Sequence, residues 1–272
     1  MKYDPVKKSL GRFIRNSSFL RKVFYLSLDL LLLRAWHVRK VLGKTESYLD
    51  GEASVLDAGS GFGQYAWRMS RRNKGWKITG IDIDPEHVSD CNSFFSRSGL
   101  SERVSFRSAD LTELDEDSCY DLILTVDVME HIRDDNIVFG NFFRSMKPGG
   151  IIIISTPSDR GGSDVRCEGD ESFVGEHVRN GYGIDEITAK LENSGFRDIR
   201  ALYTYGTPGN ISWKISMKYP VILLNFSRLF FIILPFYYLI ILPFAFLLNA
   251  LDVTLIHKTG TGLIVTARKL TD

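Results

Sequence analysis

Three glycines at alternate positions follow an apolar run in Val55-Leu56-Asp57-Ala58-Gly59-Ser60-Gly61-Phe62-Gly63. Glycine lets a chain bend sharply and lets a ligand approach backbone where a Cβ would collide. Nineteen residues beyond Gly63, Asp82 closes a second apolar run (Gly80-Ile81-Asp82). A carboxylate at that distance suits two hydrogen bonds to ribose hydroxyls. The spacing is G-x-G-x-G, and Gln64 occupies the place of the third glycine in the pyrophosphate-binding form. The residues point to a nucleoside ligand without a diphosphate and weigh against NAD-dependent hydride transfer. Taken alone, the glycines could equally be a tight packing turn.

Such a loop works only where a sheet holds it. Short apolar runs at 53–58, 77–83, 103–108, 120–126, 150–155 and 196–205 alternate with helical patterns near 64–72, 85–98, 130–146 and 184–194. That alternation predicts βαβ units and a doubly wound, Rossmann-like parallel sheet covered on both faces, with the glycine loop at the carboxyl end of its first strand. Lys147-Pro148-Gly149-Gly150 ends one helix and turns into the next strand, and a seventh run at 262–268 reads as a last strand.

In family order, these segments resemble the class I S-adenosylmethionine-dependent methyltransferases, in their small-molecule branch. The quoted parts are VLDAGSGFG, GIDIDPEHV, SADLTEL, YDLILTVDVMEHI, MKPGGIIIISTP and EHVRNGYGIDEITAKLENSGF, covering about 50–206 with 260–269. The resemblance implies a seven-stranded sheet with an antiparallel last strand, and S-adenosyl-L-methionine as cofactor. It places Gly59, Ser60, Gly61 and Gly63 beside the methionine part, with Asp57 supporting its amino group. Asp82 would hold the ribose, Ile83 would pack on adenine, Asp110 would accept from the adenine amino group beside the Leu111 backbone, and Val126 would end the fourth strand at the same site. Asp110-Leu111 could instead be a simple turn, and Ile83 plain core.

The sulfonium is already an activated electrophile, so alignment of nucleophile, methyl and sulfur is the main requirement. A hydroxyl acceptor also needs its proton removed, and His177 and His131 are the candidate bases. His177 could otherwise only hydrogen-bond at a helix entry. Asp127, Glu130 and His131 resemble the divalent-metal cluster of ubiquinone-pathway O-methyltransferases, whose first acid is Glu. With the shorter Asp127, no metal ligand is assigned, since the string also reads as a helix start with Glu favouring the macrodipole. Tyr182, Tyr203 and Tyr205 either line the acceptor pocket or belong to the core.

The rest of the chain is less ordinary. Its 44% apolar and 25% charged residues are globular in kind and exclude disorder as the main state. Cys91, Cys119 and Cys167 lie far apart, which argues for a reducing compartment and against a zinc site. No apolar h-region precedes residue 18, so no cleavable signal peptide is expected. Residues 1–44 carry eleven Lys/Arg against two acids, a local charge of +9, whereas the remainder sums to −8. Residues 19–42 read as one helix. Residues 219–251 hold one charge, Arg228, and none falls between Leu229 and Leu248.

One bilayer span there would put strand 262–268 on the wrong side of the membrane from its partner, and two spans need about forty residues. Pro235 and Pro243 would also interrupt a straight helix. The expectation is a kinked, re-entrant or interfacial helical pair beside the 19–33 helix and its bases Arg12, Arg15, Arg21, Lys22, Arg34, Arg39 and Lys40. An anionic membrane surface explains the basic arm better than nucleic acid, because no aromatic-basic groove is evident. A soluble lid or dimer interface is the alternative for the apolar insert.

The expected organisation is a basic arm and helix at 1–50, a methyltransferase domain at 51–208, an apolar insert at 209–258 and the last strand at 259–272. The function expected is methylation, at oxygen, of a lipophilic or lipid-linked acceptor. The enzyme would be cytoplasmic and peripheral on the inner face of the membrane. A catalytically silent membrane scaffold and a soluble enzyme with an apolar lid are the alternatives.

Overall fold

The computed structural model describes residues 17–49, 51–161, 178–226 and 230–271. Seven strands form one sheet: β1 Ser54–Ala58, β2 Lys77–Asp82, β3 Val104–Ser108, β4 Tyr120–Val126, β5 Met146–Pro157, β6 Arg197–Thr204 and β7 Gly262–Arg268. Their order is β3-β2-β1-β4-β5-β7-β6, with β7 antiparallel to both β5 and β6. The other neighbours are parallel. Side-chain alternation divides the core between the two faces. Val55, Leu122 and Leu124 enter one cluster with Phe94 and Trp76, and Leu56 and Ile123 enter the other with Phe139 and Phe142. The order reverses between β1 and β4, where sheets of this kind leave a crevice at their carboxyl ends.

The helices around the sheet are α1 Ser18–Leu31, α2 Leu33–Thr45, α3 Gln64–Arg72, α4 Pro85–Arg97, α5 Asp135–Ser145 and α6 Ile184–Asn193. Two expectations need correction here. The single helix expected over 19–42 is two helices, because Leu32 adopts an extended conformation (φ −88°, ψ 113°). The helix expected from residue 130 begins at Asp135, after a separate 3-10 turn over Met129–His131.

α1 is amphipathic with its polar side turned inward. The Arg21 and Tyr25 side chains donate to the Phe62 carbonyl inside the glycine loop, Arg21 at 2.8 Å, and Arg21 also pairs with Asp90. Asp29 accepts from Gln64 Nε2 at 2.7 Å and from Arg68 at 2.8 Å. Phe19, Val23, Leu26, Leu30 and Leu31, spaced as one helical stripe, face outward. Of the expected lipid-facing bases, Arg21 is 2% exposed and serves the protein interior, and Arg34 is turned to Asp127. Arg12 and Arg15 lie outside the described residues.

The apolar insert is a helical hairpin. Its outgoing arm is α7 Thr207–Trp213, a π turn over Lys214–Lys218 and α8 Tyr219–Phe226, and its returning arm is α9 Phe230–Thr254. Ser212 Oγ donates to the Ala245 carbonyl at 3.2 Å and Tyr238 to the Ser216 carbonyl at 2.9 Å, so the arms run antiparallel. Pro220 lacks the N–H that would reach the Ser216 carbonyl in an α-helix, and the Tyr238 hydroxyl replaces it. Both ends of the hairpin meet at Asp252, which accepts from Gly209 N at 2.9 Å and lies 2.8 Å from His37 Nε2. Contrary to the expected interruption, α9 continues through Pro235 and Pro243. The exit and return on one side agree with the pairing of β6 and β7.

Candidate active site

The loop after β1 bends through three left-handed glycines: Gly59 (φ 75°), Gly61 (φ 50°) and Gly63 (φ 76°). They serve different ends. A Cβ on Gly59 would come within 2.2 Å of Val128, so packing requires that glycine; one on Gly63 would crowd Cys91 and Phe95 at 3.2 Å, where the left-handed backbone already favours glycine. Around Gly61 a Cβ would meet nothing within 4 Å. The backbone there faces open space, which is the surface a ligand needs. Gly59 and Ser60 donate to the Ile81 carbonyl at 2.8 and 2.9 Å, holding the bend against the end of β2.

Asp82 closes that strand. One carboxylate oxygen accepts from Gly61 N at 2.7 Å and the other from Asp84 N at 2.9 Å, with His87 Nδ1 3.8 Å away. Burial alone would raise its pKa, but His87 and the two amides bring it below the ordinary aspartate value. The carboxylate is therefore charged and aimed along the glycine loop. Beside it Ile83 is 71% exposed, an apolar side chain laid open next to a charged one. Asp110 is exposed and caps a 3-10 turn, accepting from the Thr112 amide and hydroxyl at 2.8 Å each. Leu111 is buried and its carbonyl accepts from Asn141.

Asp57 is placed differently, beneath the loop. It is buried and accepts from Ala66 N at 3.1 Å at the start of α3. Burial pushes its carboxyl up to about 7, against the effect of the Ala66 bond. Ser60 Oγ is buried without a hydrogen-bond partner. An orphan hydroxyl, an open glycine bend, a charged carboxylate and an exposed apolar side chain together match what a nucleoside bearing an amino-acid chain needs.

Half-buried Val126 ends β4, and Asp127 follows in a left-handed conformation (φ 53°), its N–H donating to the Ser155 carbonyl at 2.8 Å. Asp127 pairs with Arg34 from α2, while buried Glu130 accepts from Thr156 Oγ1 at 3.1 Å, burial raising its pKa. The described residues contain no group of three acidic, histidine or cysteine side chains able to hold a metal ion. His131 ends the 3-10 turn, half-buried; His177 lies outside the described residues. Tyr182 is core, its hydroxyl donating to Asp135 at 2.7 Å, whereas the Tyr205 hydroxyl accepts from Arg34 N at 3.0 Å. The sequence placed Arg34 among the bases beside the membrane and showed neither its pairing with Asp127 nor the α1 grip on Phe62. Arg34 is separated from Asp127 by 93 residues, and no local pattern connects them.

Structures of this shape are known. A putative sarcosine dimethylglycine methyltransferase from Galdieria sulphuraria superposes with a TM-score of 0.60 at 18% identity, over 87% of this chain and 84% of its own. A phosphoethanolamine N-methyltransferase 2 from Haemonchus contortus, solved in complex with S-adenosyl-L-methionine, gives 0.58 at 18% identity, over 81% of this chain and 49% of its own. At such identities the likeness establishes the fold, that of class I methyltransferases. A ubiquinone biosynthesis O-methyltransferase of Rickettsia prowazekii is 30% identical over 130 residues, 46% of this chain and 50% of that protein. The chain spans no more than about half the length of the curated relatives it matches. The family model for the methyltransferase domain matches residues 49–192, more than half of the chain. The chain belongs to that family of methyltransferase domains.

Proposed function

We propose that the protein is a monotopic enzyme that methylates an oxygen of a lipophilic or lipid-linked small molecule at the cytoplasmic face of a membrane. The observation that carries this reading is the outward turn of the hairpin. The span Ile232–Thr254 is long and apolar enough to cross a bilayer, yet only 11% of its most apolar window is buried. Leu239 is 76% exposed, and the α1 stripe adds a second outward apolar surface. Patches larger than a few hundred Å² mark membrane or protein contacts. The excess of basic residues over 1–44 selects an anionic bilayer. Because both ends of the hairpin return to Asp252, it would enter the membrane and leave it on the same side.

S-adenosylmethionine, when bound, supplies an activated methyl group. The Gly61 bend and Asp82 would hold it, Ser60 Oγ gaining a partner, and the crevice at the ends of β1 and β4 would exclude water. The end of β4 is the place for the acceptor, whose hydroxyl proton His131 or His177 would take. Several methyltransferases among the relatives act at oxygen or nitrogen of small molecules by name, including that of Rickettsia prowazekii.

Protein incubated with methyl-labelled cofactor and a membrane lipid extract should place label in the chloroform phase. It should also pellet with anionic liposomes. Replacing exposed Ile233, Leu239 and Ile240 together by Glu should abolish pelleting while leaving cofactor affinity unchanged. Label confined to the aqueous phase, or a wild-type protein that never pellets, contradicts the proposal.

A further inference from the structure

α1 carries two stripes with different duties. Arg21, Tyr25 and Asp29 recur at every fourth residue and form one line along the helix. All three reach the glycine loop or the helix that leaves it. Arg21 and Tyr25 donate to the Phe62 carbonyl, and Asp29 accepts from Gln64 Nε2 and Arg68. Phe24 adds an edge-to-face contact with the Phe62 ring at 6.0 Å. That ring lies 4.8 Å from the His87 ring, and His87 Nδ1 is 3.8 Å from Asp82. Two grips thus meet on adjacent residues of one loop: Asp82 takes the Gly61 N–H, and α1 takes the Phe62 carbonyl.

The opposite stripe, Phe19, Val23, Leu26 and Leu30, faces outward, with Phe19 72% and Leu26 59% exposed. Its last residue touches the hairpin side of the molecule. Trp36 Nε1 donates to the Leu30 carbonyl at 3.0 Å, and the Trp36 ring stacks on Phe246 of α9 at 6.1 Å. The stripe therefore continues the apolar surface of the hairpin. Exposed Lys22 stands beside it, within the 1–44 stretch whose charge is +9. An apolar strip flanked by cations fits an anionic bilayer.

A helix of 14 residues is marginal in water on its own. Off the loop, α1 would lose its helix and scatter the stripe; on the loop, it keeps both. A bilayer that takes the stripe and a cofactor that takes the loop select the same state of one element.

We infer that α1 couples these two binding events. Seating its apolar stripe in an anionic bilayer tightens the hold on S-adenosylmethionine, and the cofactor tightens the hold on the bilayer by the same factor. Arg21, Tyr25 and Asp29 are positioning residues, acting on the cofactor through Phe62 and Gln64. The inference rests on the membrane reading above and adds regulation to it, since the enzyme would be loaded where a lipophilic acceptor lies.

Calorimetric titration of the full chain with S-adenosylmethionine, with and without vesicles of phosphatidylcholine and phosphatidylglycerol, tests it. Wild-type affinity should rise about fivefold with vesicles, the low end of coupling between two sites. Leu26→Glu, which alters only the outer stripe, should bring the ratio of the two affinities to about one while the hairpin still carries the protein to the pellet. A fivefold ratio surviving in that variant overturns the role of α1. Without any vesicle, hydrogen exchange of the Ser18–Leu31 amides should slow by at least the same factor when cofactor saturates the protein. Exchange that ignores the cofactor overturns the inference on wild-type protein alone. A protein that pellets with unchanged cofactor affinity sinks the coupling and leaves the membrane reading standing; one that never pellets removes both.

Discussion

The sheet and the hairpin use the same residue types in opposite ways. In β1, β4 and β5 the apolar side chains Val55, Leu56, Ile123 and Ile152 are wholly buried. Along α9, Ile232, Phe236, Leu239 and Phe244 face outward, and only isolated positions such as Ala245, Asn249 and Asp252 are buried. Burial in the hairpin is therefore polar and small, the reverse of a globular core. The sheet is held by the hydrophobic effect, whereas the hairpin is held at its base by hydrogen bonds to one carboxylate. The first region can support a cofactor site by itself; the second has its apolar surface left to offer.

The largest effect expected lies in the sheet. Asp82→Ala removes the acceptor for Gly61 N and Asp84 N as well as the proposed ribose contact. S-adenosylmethionine affinity should fall about 100-fold, two charge-assisted hydrogen bonds' worth, read by calorimetry. Liposome binding in the absence of cofactor should not change. Loss of both together would mean that the two regions are not separable.

Next comes the base of the hairpin. Asp252 is fully buried and accepts from Tyr205 N at 3.2 Å and Gly209 N at 2.9 Å, with His37 and His257 beside it. Burial would raise its pKa, but the His37 hydrogen bond and the His257 charge hold it below the ordinary value. Asp252→Ala strands these donors and should destabilise the chain by about 3 kcal/mol, the scale for breaking a buried network. Chemical denaturation would show this. A variant as stable as wild type would mean that apolar contacts hold the hairpin after all.

Much of the first region was legible in the sequence because each strand carries its own signal. The runs at 77–83 and 120–126 match β2 and β4 to within a residue, and the glycine spacing and Asp82 are local facts. Elsewhere the information was not local. Periodicity shows that α1 has two faces, but the outward one is decided by Asp90 and Phe62, far along the chain. Leu32 gives no breaking signal, and the two α9 prolines gave a misleading one. The pairing of His37 with Asp252 exists only once α2 and the hairpin face each other. Side chains whose partners are more than a hundred residues away leave no pattern to read.

The smallest effect sharpens the contrast from inside the sheet region. Asp57 is a carboxyl in an otherwise apolar strand, its pKa raised by burial to about 7 from the ordinary aspartate value of 3.8. Between those values the unfolded chain has released a proton that the native chain retains, so native stability falls as pH rises through this window. Above the native pKa the full penalty is present. Asn at this position accepts from Ala66 as well as Asp does but cannot titrate. Asp57→Asn should therefore flatten the melting temperature between pH 4 and 7 and raise it by about 4 °C at pH 8. A steep pH dependence surviving in the variant would move its origin to other groups, such as buried Glu130, whose pKa burial also raises. A retained carboxylate with that penalty at the floor of the glycine loop is stability given up at the proposed cofactor site, while the hairpin carboxylate Asp252 adds to stability where it sits.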